Sequence, residues 1–95
     1  MTASRVAAIR SRLEAALKPD EIEIVDDSHK HAGHAGARDG RGHFSVRIVS
    51  RQFAGKRTLE RHRLVYAALG TLMQTDIHAL ALSALTPEES VSHKP

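Results

Sequence analysis

The 95-residue chain contains no cysteine and no tryptophan, and its only aromatic rings besides histidine are two Phe and one Tyr. Without cysteine it can form neither a disulfide nor a cysteine-only metal site. Any iron, zinc or iron–sulfur site must draw on His, Asp or Glu, or borrow thiolates from a partner. Phe44, Phe53 and Tyr66 are too few to build a stacking platform for single-stranded nucleic acid. There is no apolar run long enough to cross a membrane, and Met1 to Arg10 lacks the apolar stretch of a signal peptide. A soluble, cytoplasmic protein is the expectation. The usual marks of an enzyme are missing too. No Ser or Cys nucleophile has a partnered base, no Gly-rich loop suits a phosphate, and no paired carboxylates share a pocket context. A non-enzyme is expected.

What the chain has instead is histidine, seven in all, and a mildly basic balance of +3. Four of the seven, His29, His31, His34 and His43, fall in the stretch SHKHAGHAGARDGRGH, which holds no large apolar side chain before its end. Such a segment cannot build a core. Taken alone, its imidazoles read as surface residues of a flexible loop, or as an incidental chelator of divalent metal.

The flanking segments have clear periods. Val6, Ile9, Leu13 and Leu17 recur at three- and four-residue spacing, which predicts a helix over Ser4 to Lys18, stopped by Pro19. EIEIVD, Glu21 to Asp26, alternates as a half-buried strand. HFSVRIVSR, His43 to Arg51, alternates again, with Phe44, Val46 and Ile48 on one side. The two strands form a hairpin around the His/Gly loop, residues 28–42. FAGKR, Phe53 to Arg57, reads as a turn. Thr58 then caps a helix to about Met73, with Leu59, His62, Tyr66, Leu69 and Met73 on one face, widened by Val65, Ala68 and Leu72. IHALAL, Ile77 to Leu82, predicts a third strand, with His78 at the leading edge of the Leu80/Leu82 face. TPEE, Thr86 to Glu89, is a capping box that starts a short last helix, before a frayed tail over residues 90–95. The expectation is a single α+β domain, 1–95, in two layers, with helices on one face of a three-stranded sheet. Leu13, Ile24, Val46, Ile48, Tyr66, Leu69 and Leu80 are its expected core.

Lys56, Arg57, Arg61 and Arg63 crowd the start of the second predicted helix. Cations there oppose the helix dipole. They read as an anion-binding group, or as a solvated basic face balanced by Glu60. No GxxG clamp of the kind that holds single strands is present.

DDSHKHAGH, HFSVRIVSRQFAGKRTLERHRLVYAAL and IHALALSALTPEE together resemble the BolA family, over about Leu17 to Glu89. The resemblance implies a fold similar to a class II KH domain, with αββαβ order, which the periodicities reach independently. It implies pairing with a monothiol glutaredoxin and joint binding of a two-iron two-sulfur (2Fe-2S) cluster, with thiolates from glutaredoxin and glutathione. Alone, the chain would hold no cluster and would be a monomer or weak homodimer. The resemblance matches His78 and a loop histidine, His34, to the cluster ligands, with His31 and His43 as weaker candidates. It also implies, as the alternative, a regulator that binds DNA through the FAGKR turn and the following helix.

Overall fold

The computed structural model describes residues 2–27 and 42–92. The His/Gly loop with His29, His31 and His34, and His93 in the tail, lie outside them.

Helix α1 (Thr2–Leu17) buries Ile9, Leu13 and Leu17 along the predicted stripe. It closes at Lys18, whose φ of 44° puts it in the left-handed region, and Pro19 prevents continuation. Strand β1 (Glu21–Asp26) runs antiparallel to β2 (Gly42–Val49), with Ile22 opposite Ile48 and Ile24 opposite Val46. A 3-10 turn (Arg51–Phe53), α2 (Thr58–Leu69) and the single turn α3 (Leu72–Thr75) lead to β3 (Ile77–Leu85), which pairs parallel to β2. Helix α4 (Pro87–Ser92) follows. The sheet is three-stranded and mixed, in the order β1-β2-β3. This is the α+β architecture expected.

Helices α1 and α2 pack against each other and against the sheet. Between them lies one core, in which Ile9, Leu13, Phe44, Ile48, Phe53, Val65, Leu69 and Ile77 are sealed from solvent. On β2 the alternation holds: Phe44, Val46 and Ile48 are buried while His43, Ser45 and Arg47 are only half-buried. Ser50 is a buried polar residue. Its hydroxyl donates to the Leu17 carbonyl (2.7 Å) and accepts from the Gln52 N–H (3.1 Å), tying the end of α1 to the turn after β2.

Three expectations are corrected. Leu59 and Tyr66 are exposed, at 61% and 40%. The face of α2 that enters the core is the one through Val65 and Leu69, flanked by Leu64 and Ala68. Two apolar stripes overlap on this helix, and contact with α1 selects one. Second, α2 stops at Gly70 instead of reaching Met73. Gly70 has φ 53° and ψ −126°, a backbone state strained for a residue with a Cβ. A Cβ there would also meet the Arg12 guanidinium at 3.3 Å. Third, β2 ends at Val49, because Ser50 turns the chain into the 3-10 segment.

Candidate histidine site and basic turn

The pairing of β2 with β3 contains one irregularity, and it falls at the site. Gly42 is opposite Ile77, yet His43 is opposite Ala79, so His78 is the extra residue of a bulge. The bulge breaks the simple alternation expected for IHALAL. Ile77 takes the core position and is 1% exposed, while His78 is exposed instead of aligning with Leu80 and Leu82. Re-aiming a side chain at a sheet end is what a bulge does. The His78 ring comes to lie 5.0 Å from the His43 ring, centre to centre, with the planes inclined by 52°.

His43 is held from its own side. Its carbonyl accepts from the Asp27 N–H (2.7 Å), and its Nε2 is buried. Asp27 in turn accepts from the Ser45 hydroxyl through Oδ2 (2.5 Å). The Gly42 N–H donates to the Asp76 carbonyl (2.9 Å), and Asp76 pairs with Arg5 at 3.4 Å. The imidazole pair therefore sits on a braced end of the sheet, where residues 28–41 leave and return. Among the described residues no group of three or more His, Cys, Asp or Glu could hold a metal. The described chain offers two neighbouring imidazoles. That suits a centre completed by donors from elsewhere and does not suit a closed four-ligand site.

The basic turn is built on Phe53, which is fully buried. Gly55 follows with φ 73°, and the Lys56 N–H donates back to the Phe53 carbonyl (3.1 Å). Arg57, not Thr58, is the N-cap of α2, and its N–H donates to the Glu60 carboxylate (2.8 Å). Lys56, Arg57 and Arg63 are exposed. Arg61 is placed differently. Its guanidinium donates to both oxygens of Glu89 (2.5 and 3.1 Å), to the Ala84 carbonyl (3.1 Å) and to the Lys56 carbonyl (2.9 Å). Its side chain is only 12% exposed. Arg61 is a tie between α2, β3, α4 and the turn. The capping box expected at TPEE is present: the Thr86 N–H donates to Glu89 Oε1 (2.9 Å), and the Glu89 N–H donates to the Thr86 hydroxyl (3.2 Å). With Arg61 and then the Thr86 N–H holding its charge, the Glu89 carboxyl is lowered to about 2. The Arg61–Glu89 pair spans 28 positions and has no local sequence signal.

An α+β domain with a histidine pair at a bulged sheet end and a basic turn before its second long helix defines the class. A family model for BolA-like proteins matches residues 13–89, and the chain belongs to that family. It is 46% identical over 91 residues to SufE-like protein 1, chloroplastic/mitochondrial, of Arabidopsis thaliana, covering 90% of this chain and 24% of that protein. It is 42% identical over 81 residues to the DNA-binding transcriptional regulator BolA of Escherichia coli, covering 85% of this chain and 74% of the regulator. The solved BolA domain of SufE1 from Arabidopsis thaliana superposes with a TM-score of 0.80 at 45% identity, covering 90% of this chain and 95% of the domain. The chain spans from 24% to 59% of the length of the plant and mammalian relatives it matches. Among the described residues no helix is long and apolar enough to cross a membrane.

Proposed function

We propose that the chain is a non-enzymatic BolA-like adaptor that pairs with a monothiol glutaredoxin and shares a histidine-ligated 2Fe-2S cluster, in iron–sulfur cluster trafficking or in iron and redox regulation. The observation that carries this reading is the His43–His78 pair at the sheet end where the histidine-rich segment attaches. His78 supplies a donor from a strand. His34 supplies the second, with His31 and His43 next in order, and His43 orients its neighbour. This chain has no thiolate, so the remaining donors come from the glutaredoxin cysteine and glutathione. Imidazole in place of thiolate raises a cluster's reduction potential. An imidazole that leaves the cluster takes up a proton in mildly acidic solution, which makes the ligand set sensitive to pH. Both properties suit transfer or sensing better than permanent storage. We place this activity in the cytoplasm.

Mixing the chain with a monothiol glutaredoxin, iron, sulfide and glutathione should give a red-brown heterodimer. The His78→Ala chain should lose the histidine-ligated signature in visible circular dichroism. A heterodimeric cluster with unaltered spectrum and pH profile in that variant sinks the ligand assignment.

A second reading has its own support. Lys56, Arg57 and Arg63 are exposed on the turn and the start of α2, and the Escherichia coli relative is named a DNA-binding transcriptional regulator. Under this reading the chain alone retards duplex DNA, and the binding weakens steeply with salt. Lys56→Ala with Arg57→Ala then lowers the salt slope by roughly 2, about 1 for each phosphate no longer neutralised. An unchanged slope removes the turn from the interface.

A further inference from the structure

The sheet has two edges, and they are not equally protected. β1 is six residues long and carries Glu21, Glu23 and Asp26. A second copy of β1 laid beside it would bring carboxylates together, which is unfavourable. β3 is nine residues long, IHALALSAL, with no charged side chain, no Pro and no Gly. Natural sheets normally blunt an edge with such residues.

The direction of each β3 backbone group follows from two hydrogen bonds. The Leu85 carbonyl accepts from the Ser50 N–H on the β2 side (2.9 Å). The Ala84 carbonyl points the other way and accepts from Arg61 (3.1 Å). In a parallel pair, alternate residues turn both polar groups toward the same neighbour. Ala79, Ala81 and Ser83 therefore face β2, while Leu80 and Leu82 turn their N–H and C=O to the open edge. Among the described residues no backbone bond outside the strand ladder reaches Leu80 or Leu82.

We propose that the β3 edge is a self-association surface, and that its occupant is β3 of a second copy of this chain, running antiparallel across a two-fold axis at Ala81. Leu80 of each copy stands opposite Leu82 of the other, and each such pair exchanges both N–H···O bonds. The result is a continuous sheet in the order β1-β2-β3-β3-β2-β1. The interface is isologous, so it closes as a dimer. No like charges meet across it. Arg61 already occupies the Ala84 carbonyl at one end, and the His78 bulge interrupts the strand at the other. The pairing window is thus confined to the middle of β3, giving a reversible contact instead of an open-ended one. The same pairing sets His78 of one copy opposite Ala84 of the other, so self-association and docking of another protein at His78 compete for one edge.

The test uses the full chain and its oligomeric state over a wide concentration range, by analytical ultracentrifugation. Wild type should show a concentration-dependent monomer–dimer equilibrium. Ala81 pairs with itself across the axis at a Cα separation of about 4.5 Å, the non-hydrogen-bonded kind. That distance suits a disulfide. Ala81→Cys introduces the only thiol in the chain and should give a cross-linked dimer on mild oxidation. Ala54→Cys, on the exposed turn, should not. Ala81→Lys and Ala81→Glu should each be monomeric, and an equimolar mixture of the two should dimerise again, which only folded chains can do. A wild type that stays monomeric throughout overturns the proposal. So does a dimer that Ala81→Glu leaves intact, or a mixture that fails to recover it.

Discussion

Arg61 and Glu89 meet through two hydrogen bonds, and the same guanidinium holds the carbonyls of Lys56 and Ala84. One side chain thereby links the basic turn, the last strand and the last helix. Arg61→Ala leaves two carbonyls and a carboxylate to find other partners. Hydrogen bonds to charged groups contribute about 1.5–3 kcal/mol, so its melting midpoint should fall by roughly 5 °C or more. Lys56→Ala, at an exposed position, should leave the midpoint nearly unchanged. Differential scanning calorimetry of the two variants compares them directly.

The same pair makes stability depend on acid. The Glu89 carboxyl is lowered in the folded chain from 4.5 to about 2. The charged form is favoured on folding, so the contribution is fully present above 4.5 and drains away as pH falls toward 2. Glu89→Gln should be less stable than wild type at neutral pH, and the gap should narrow through this window. A gap that stays constant from neutral pH to 2 would mean Glu89 is not the titrating group.

Phe53 and Tyr66 should respond oppositely to truncation. Phe53 is sealed under the basic turn, and Phe53→Ala should cost about 3–5 kcal/mol. Tyr66 is 40% exposed, and Tyr66→Ala should cost under about 1 kcal/mol, as at ordinary surface sites. Urea denaturation reads both. A large Tyr66 effect would restore the helix face read from periodicity.

Gly70 is a backbone requirement. Gly70→Ala must carry a Cβ at φ 53°, against the Arg12 guanidinium. Residues forced into such regions cost about 1–3 kcal/mol. An Ala variant as stable as wild type would show that the break between α2 and α3 does not depend on this conformation.

The histidines should form a hierarchy in the reconstituted heterodimer. His78→Ala abolishes the histidine-ligated signature, and His34→Ala weakens or reshapes it. His29→Ala and His93→Ala leave it intact. The pH at which the cluster is lost is the second readout, because metal binding competes with protonation of the ligands and the ligand set differs between the variants.

Much of the fold was legible because the local signals were strong. β1 runs over the predicted Glu21–Asp26, and the Thr86–Glu89 box caps the last helix as its spacing requires. The misreadings arise where a distant neighbour decides. On α2, Tyr66 and Val65 both belong to plausible apolar stripes, and only packing against α1 and the sheet chooses between them. The bulge at His78 depends on pairing with Gly42 and His43, far back in the chain, so alternation within IHALAL could not reveal it. Arg61 looked like a free cation because Glu89 lies 28 positions away.

The Asp27–His43 bond (2.7 Å) and the Asp27–Ser45 bond close the hairpin below the segment 28–41. Strand register is settled beneath that seal, by Ile22 against Ile48 and Ile24 against Val46. Lengthening a loop adds only slowly to closure entropy, about 0.6 kcal/mol per doubling. The scaffold therefore tolerates a change of length or composition between Asp27 and Gly42 at little cost, because the contacts that hold β1 against β2 all lie on the near side of that closure.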